Sequence, residues 1–191
     1  MAKLERLEII VRKYKVWRKA NPDRHILHCA MQENLSSAIM VAAGAVDVYG
    51  KIHNHQRRVG RSVLNEFGVI LSHAEAEFSK AQSFDEIFAI VSKYRFRKIG
   101  KLTVYDTSIR IGEYLKFYPT KVYLHAGTDV GARYIFGPLK GRNLIEVDEF
   151  PPVIRNLNLT PGEIEDILCI YKDELKHLKF GIYILECTNL L

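Results

Sequence analysis

Apolar residues recur three or four positions apart through most of this chain, and the breaks between those runs carry residues that start or stop helices. That spacing stacks side chains on one helix face, so it predicts a succession of amphipathic helices rather than the two-residue alternation of half-buried strands. Leu4, Leu7, Val11, Tyr14 and Trp17 form the first stripe, which Asn21-Pro22-Asp23 ends, and its second half gathers Arg12, Lys13, Lys15, Arg18 and Lys19. A second helix is predicted from Ala30 to Tyr49 on Leu35, Ile39, Ala42, Ala43 and Val46, with Gly50 as its stop. After the polar basic link KIHNHQRRV, the residues Val59, Val63, Phe67, Ile70 and Ala74 resume the helical spacing as far as Lys80.

Ser83 and Glu86 form the S-x-x-E pattern in which each side chain satisfies a free backbone N–H at a helix start, and Phe84, Ile87, Phe88, Val91 and Tyr94 give that helix its apolar face. Leu102, Tyr105, Ile109, Gly112 and Leu115 predict the next helix, which stops before Pro119. Val122-Tyr123-Leu124 fits a strand or a helix equally, and Thr128 reads as the cap of a helix carrying Val130, Ala132 and Ile135 to Gly137-Pro138. Residues 139–159 read as irregular and wrapped over the surface, since Pro151-Pro152 excludes a helix interior. Thr160-Pro161-Gly162-Glu163 is the clearest start signal: a capping Thr, Pro at the first helical position and Glu three beyond the cap. Glu163, Glu165 and Asp166 then lie at the positive end of that helix dipole and Lys172 and Lys176 at the negative end. Phe180 to Cys187 reads as a terminal strand or a packed extension. The expected fold is a mainly α, single-domain bundle of about six to eight helices spanning residues 1–191.

The 28 Lys and Arg against 22 Asp and Glu leave a formal charge of +6, which favours anionic partners and says nothing about a reaction. The longest charge-free run, Asn34 to Val46, has 13 residues and is too short to span a bilayer. Lys3, Glu5, Arg6 and Glu8 interrupt the first residues, with no apolar signal core behind them, so a cytoplasmic, non-membrane protein is expected. Cys29, Cys169 and Cys187 have no metal-type spacing and are expected to be reduced. The phosphate loop G-x-x-x-x-G-K-[ST], the nucleophile elbow G-x-S-x-G and the zincin motif H-E-x-x-H do not occur, so those routes to nucleotide, ester and peptide hydrolysis lose support. His53 and His55 make an H-x-H pair without a second ligand cluster nearby in sequence, so no metal and no cofactor are assigned. Arg57 and Arg58 beside them read as a phosphate-contacting loop.

The most informative segment runs from Tyr94 to Leu115: the end of one helix, a basic turn closing on Arg97, Lys98, Ile99 and Gly100, and a second helix opening at Lys101. A glycine there lets a phosphate approach the backbone, and the free N–H groups of the following helix start favour an anion. This segment resembles the helix-hairpin-helix, the sequence-independent DNA-binding element of base-excision glycosylases and related repair proteins. The family's hairpin has glycine, an apolar residue and glycine where this chain has Lys98-Ile99-Gly100. The resemblance implies a DNA partner and, in its enzymatic form, a DNA glycosylase or lyase acting on a modified or damaged base. It also implies a Lys beside the hairpin, matched loosely by Lys101, and a carboxylate that stabilises a cationic sugar, for which Asp106 and Asp129 are the candidates. If the segments around Tyr105 and Tyr123 face each other, these tyrosines would stack on a flipped base while His125 and Asp106 bond its edge, with Arg133 beside the pocket. These segments, with residues 53–58 and 169–172, also resemble an uncharacterised bacterial family that implies no activity. The alternatives are a non-enzymatic basic module for nucleic acid or protein, and a small-molecule or metal-binding helical protein centred on Tyr105, Asp106 and His125.

Overall fold

The computed structural model describes residues 3–178; the stretch from Phe180 to Cys187 lies outside them. Eleven α-helices and two short strands occur among the described residues: α1 (Lys3–Ala20), α2 (Arg24–Ala30), α3 (Leu35–Gly44), α4 (Arg61–Ser72), α5 (Glu75–Phe78), α6 (Phe84–Lys93), α7 (Lys101–Leu115), β1 (Lys121–Tyr123), α8 (Ala126–Phe136), β2 (Leu144–Glu146), α9 (Pro152–Arg155), α10 (Pro161–Ile170) and α11 (Lys172–Leu175). Eight of the helices have seven residues or more, so the mainly α bundle expected from the spacing is present. None of the described helices is long and apolar enough to cross a membrane. The helices group into two compact units, one built from residues 22–119 and the other, among the described residues, from the two flanking stretches, 3–21 and 120–178.

In the central unit, α7 packs against α2, α3 and α6, and α3 lies along α4. Cys29, Ile39, Phe67, Leu71, Ile87, Val91, Val104 and Ile111 are among its core residues. Because α7 is covered on several sides, it buries Thr107, Ser108 and Arg110 as well as its apolar residues, and the single stripe Leu102, Tyr105, Ile109, Gly112, Leu115 understates how much of it is inside. The Ser83 start behaves as the motif predicts: its side chain accepts from Glu86 N at 3.2 Å, while Glu86 accepts from the preceding Gln82 N at 2.8 Å. The predicted helix from Ala30 to Tyr49 is corrected at both ends. Asp23 caps a separate helix α2, accepting from His25 and Ile26 N–H, and Asn34 caps α3 by accepting from Ser37 N. Ala45 then ends α3 in the left-handed conformation, φ 52°. The helix expected through to Lys80 also breaks, after Ser72, before the short α5.

In the flanking unit, Leu7, Ile10, Val11 and Tyr14 of α1 join Val122, Ala132, Ile135, Ile145, Phe150, Ile164, Ile167 and Leu168 in one core. Trp17, read as part of that stripe, is exposed. Thr160 forms the reciprocal capping box with Glu163, as its pattern predicts. Two expectations are corrected here. Residues 139–159 do not merely wrap the surface: Leu144–Glu146 pair antiparallel with β1, and Ile145, Phe150 and Ile154 are buried. The helix after the 125–128 turn begins at Ala126 with His125 as its N-cap, so Thr128 lies inside α8 and its hydroxyl is used elsewhere. The approach of α8 to α10 requires glycine, since a Cβ on Gly131 would lie 2.0 Å from the Leu168 carbonyl oxygen and one on Gly127 would lie 2.5 Å from Cys169 Sγ.

Candidate functional site

The turn between α6 and α7 alternates inward and outward residues. Phe96 meets the ring of Phe67 at 6.1 Å in an edge-on contact, and Ile99 is only 4% exposed, so both pin the turn to the core of the central unit. Arg95, Arg97, Lys98 and Gly100 are exposed between and after them. Ile99 N donates to Phe96 O at 3.0 Å, closing a tight loop, and Lys98 inside that loop has φ 84°. That conformation favours glycine, because a side chain there crowds the following carbonyl. Gly100 follows as the N-cap of α7, with nothing within 4 Å of where a Cβ would stand and no side chain to bond the first N–H groups of the helix. Helix starts leave such donors without an intrahelical acceptor and carry the positive end of the dipole.

The charge around this point is uneven. Lys93 is neutralised by Glu77, with Nζ 3.0 Å from both carboxylate oxygens, and the Tyr94 hydroxyl donates to the same carboxylate. Arg95, Arg97 and Lys98 form no salt bridge among the described residues, and Lys101 is exposed at the first position of α7. Arg57 and Arg58 are also exposed, Arg57 donating to Asn54 Oδ1 at 3.1 Å.

A second polar assembly lies one and a half turns along α7. Asp106 Oδ2 is 2.9 Å from His55 Nδ1 and accepts from Gln56 Nε2 at 2.7 Å. Gln56 in turn accepts from Arg110 at 3.2 Å, and Arg110, 2% exposed, also donates to Ala42 O at 3.3 Å. The 3-10 turn Asn54–Gln56 presents His55 and Gln56 together, with His53 as its cap. The rings of His25, His53 and His55 meet edge to face in series, at centroid distances of 4.7 and 4.5 Å. Burial raises the pKa of Asp106, but the hydrogen bond from His55 and the Arg110 charge outweigh it and hold the carboxyl below its ordinary range. Burial and the same guanidinium push His53 down to about 4, so its ring is neutral at pH 7. Asp23 is also held low: the Ile26 and His25 N–H groups and Arg110 overcome its burial.

Of the other expected site residues, all but Tyr105 fall in the flanking unit. His125 Nε2 lies 2.8 Å from Glu165 Oε1, and Thr128 Oγ1 donates to that same oxygen at 2.6 Å, so a buried carboxylate links α8 to α10. Asp129, half-buried, is 2.7 Å from the exposed Arg133 one turn on, a pair of modest value. Tyr123 is buried in β1, whereas Tyr105 is buried in the central unit against Phe84, with ring centroids 6.3 Å apart. Lys101 and Asp106 therefore belong to one compact unit and Asp129, Tyr123, His125 and Arg133 to the other. The roles of Asp23, His25, Gln56 and Glu165 were not foreseen. Asp23, an Asp directly before a helix-forming run, carries a local capping signal, whereas nothing local marks Glu165 as buried. Cys29 is buried in the central unit, and burial pushes its thiol up to about 12. Compared with known proteins, the chain matches no family model, no curated protein and no solved structure.

Proposed function

We propose that this chain binds the backbone of nucleic acid, duplex DNA in the first instance, through the α6–α7 turn in the manner of a helix-hairpin-helix and without reading sequence. The observation that carries the reading is the backbone of Lys98-Ile99-Gly100: a left-handed residue, a buried apolar anchor and an open glycine at an uncapped helix start. A phosphate seated at Gly100 would accept from the first N–H groups of α7, with Arg97, Lys98 and Lys101 around it. Because those contacts reach phosphate oxygens and no base edge, affinity would be similar across sequences.

The test is a duplex-binding titration over a range of salt concentrations with the triple variant Arg97→Ala, Lys98→Ala, Lys101→Ala. All three side chains are exposed, so the fold is expected to survive the change. Each lost phosphate contact lowers the slope of log affinity against log salt by about 0.9, so the triple variant should lose between roughly 1 and 3 from the slope and bind all sequences more weakly. Affinity and slope both unchanged in a folded variant would make the hairpin purely structural.

A further inference from the structure

The His53, His55 and Asp106 side chains each place one donor atom in a common space, all three atoms lying within 4.8 Å of one another. We propose that these residues bind a divalent transition-metal ion, with zinc as the representative, through one ring nitrogen of each histidine and one carboxylate oxygen of Asp106. Zinc bonds of 2.0–2.1 Å in a tetrahedral arrangement set neighbouring donors roughly 3.3 Å apart. The His55 Nδ1 to Asp106 Oδ2 distance of 2.9 Å must open by a few tenths of an ångström, and the longest separation, at most 4.8 Å, must close by up to about 1.5 Å. Displacements of that size are within the reach of rotation of the His53, His55 and Asp106 side chains.

The donor chemistry suits such an ion. Two imidazoles and one carboxylate are the mixed nitrogen and oxygen set that zinc and its neighbours in the first transition row accept, and three protein donors leave a position for a solvent ligand. The exposed flank is His55, whose side chain is 43% accessible, while Asp106 is 14% accessible, so the open position faces solvent on the histidine side. Binding would replace the 2.9 Å contact between His55 Nδ1 and Asp106 Oδ2 with bonds from each to the ion, releasing any proton held between them. Gln56 Nε2 donates to Asp106 Oδ2, which orients the carboxylate from outside the coordination sphere, as the partners of metal-bound groups generally do. The sequence shows only the H-x-H pair. The third donor comes from α7 through the tertiary fold.

The full chain, stripped with EDTA and dialysed, is titrated with zinc against a chelating dye and separately with cobalt, whose visible spectrum reports nitrogen and oxygen coordination. One equivalent per chain is expected. His55→Ala and His53→Ala should each weaken binding by more than about 100-fold, beyond the roughly 10- to 100-fold typical of outer-shell changes, and Gln56→Ala should fall within that lower range. His73→Ala, at the exposed end of α4, serves as the control and should bind as the parent chain does. Thermal melts establish that each variant is folded; should His53→Ala or Gln56→Ala fail to fold, the exposed His55 decides the matter alone. A parent chain that takes up no stoichiometric zinc, or a folded His55→Ala with parental affinity, overturns the assignment. Nucleic acid is absent from every arm, so the result is independent of the hairpin.

Discussion

Two glycines in the flanking unit give the sharpest test of its packing, because the same substitution should act in opposite directions at each. Gly131 in α8 faces the backbone of α10: a Cβ there would stand 2.0 Å from the Leu168 carbonyl oxygen, 2.8 Å from its carbonyl carbon and 2.9 Å from its Cα. Contacts of a real Cβ under 3.0 Å are essentially never found, so Gly131→Ala must drive the helices at least 1.0 Å apart at this point, and the obstacle is backbone that no rotamer change removes. A gap of that size forfeits a quarter to a half of each dispersion contact along the seam, where Ala132, Ile135, Ile164, Ile167 and Leu168 belong to the core. It also pulls at the bonds of Glu165 to His125 and Thr128, which tie the same two helices. Overpacking of this kind costs about 3 kcal/mol. Gly162, near the start of α10, has nothing within 4 Å of its Cβ position, and Gly162→Ala should stabilise by about 0.5–1 kcal/mol by narrowing the unfolded ensemble. Urea unfolding followed by circular dichroism measures both. If Gly131→Ala unfolds within 1 kcal/mol of the parent, or if the two variants shift in the same direction, the close approach of α8 to α10 is wrong.

Two further outcomes are expected. Tyr14 is 1% exposed and donates to Asp166 at 2.7 Å; burial and then the Asp166 charge raise its pKa above the ordinary 10.0. A folded-state pKa above the unfolded one contributes stability that is complete below about pH 10 and is lost as pH rises beyond it, so the parent should lose stability above pH 10 more steeply than Tyr14→Phe in denaturant titrations at a series of pH values. The comparison between the two chains matters because the buried Cys29 thiol gives a slope of the same sign from about pH 9 in both. Lys98→Gly relieves roughly 1–2 kcal/mol of left-handed strain and returns about 0.5–1 kcal/mol to unfolded-state entropy, leaving a small net gain in stability while removing one cation from the hairpin. A rise in melting temperature together with a shallower salt slope for duplex binding is expected; a lower melting temperature would contradict the left-handed geometry.

The features legible in the sequence are those set within a few residues. Ser83 and Thr160 announce α6 and α10 because the hydrogen bonds that start those helices join residues three apart. At Asp23 the same short polar side chain that ends one helix begins the next, and only the extended φ and ψ of −72° and 103° separate the two roles. The end of α3 carried no marker, since alanine rarely adopts positive φ and does so at Ala45 inside a fully buried turn. Residues 139–159 are rich in turn formers, yet the pairing of Ile145 with Val122 and the ring contact of Phe150 with Phe136 at 5.0 Å bury them through partners distant in sequence. The same distance hid the sites. Asp106 meets His55 across 51 positions and Glu165 meets Thr128 across 37, separations at which no periodicity carries information.

The split of the flanking unit across the two ends of the chain has a consequence for how it is made. The apolar face of α1, with Leu7, Ile10, Val11 and Tyr14, is synthesised before α10, whose Asp166 accepts the Tyr14 hydroxyl from 152 residues later in the chain. At ordinary translation speeds that interval is on the order of 8–30 seconds. Residues 22–119 can complete their own contacts within it, so the central unit becomes native while α1 is still waiting. During nascent-chain growth α1 is therefore an uncovered hydrophobic segment, and holdase chaperones should crosslink to it until about residue 168 has emerged from the exit tunnel.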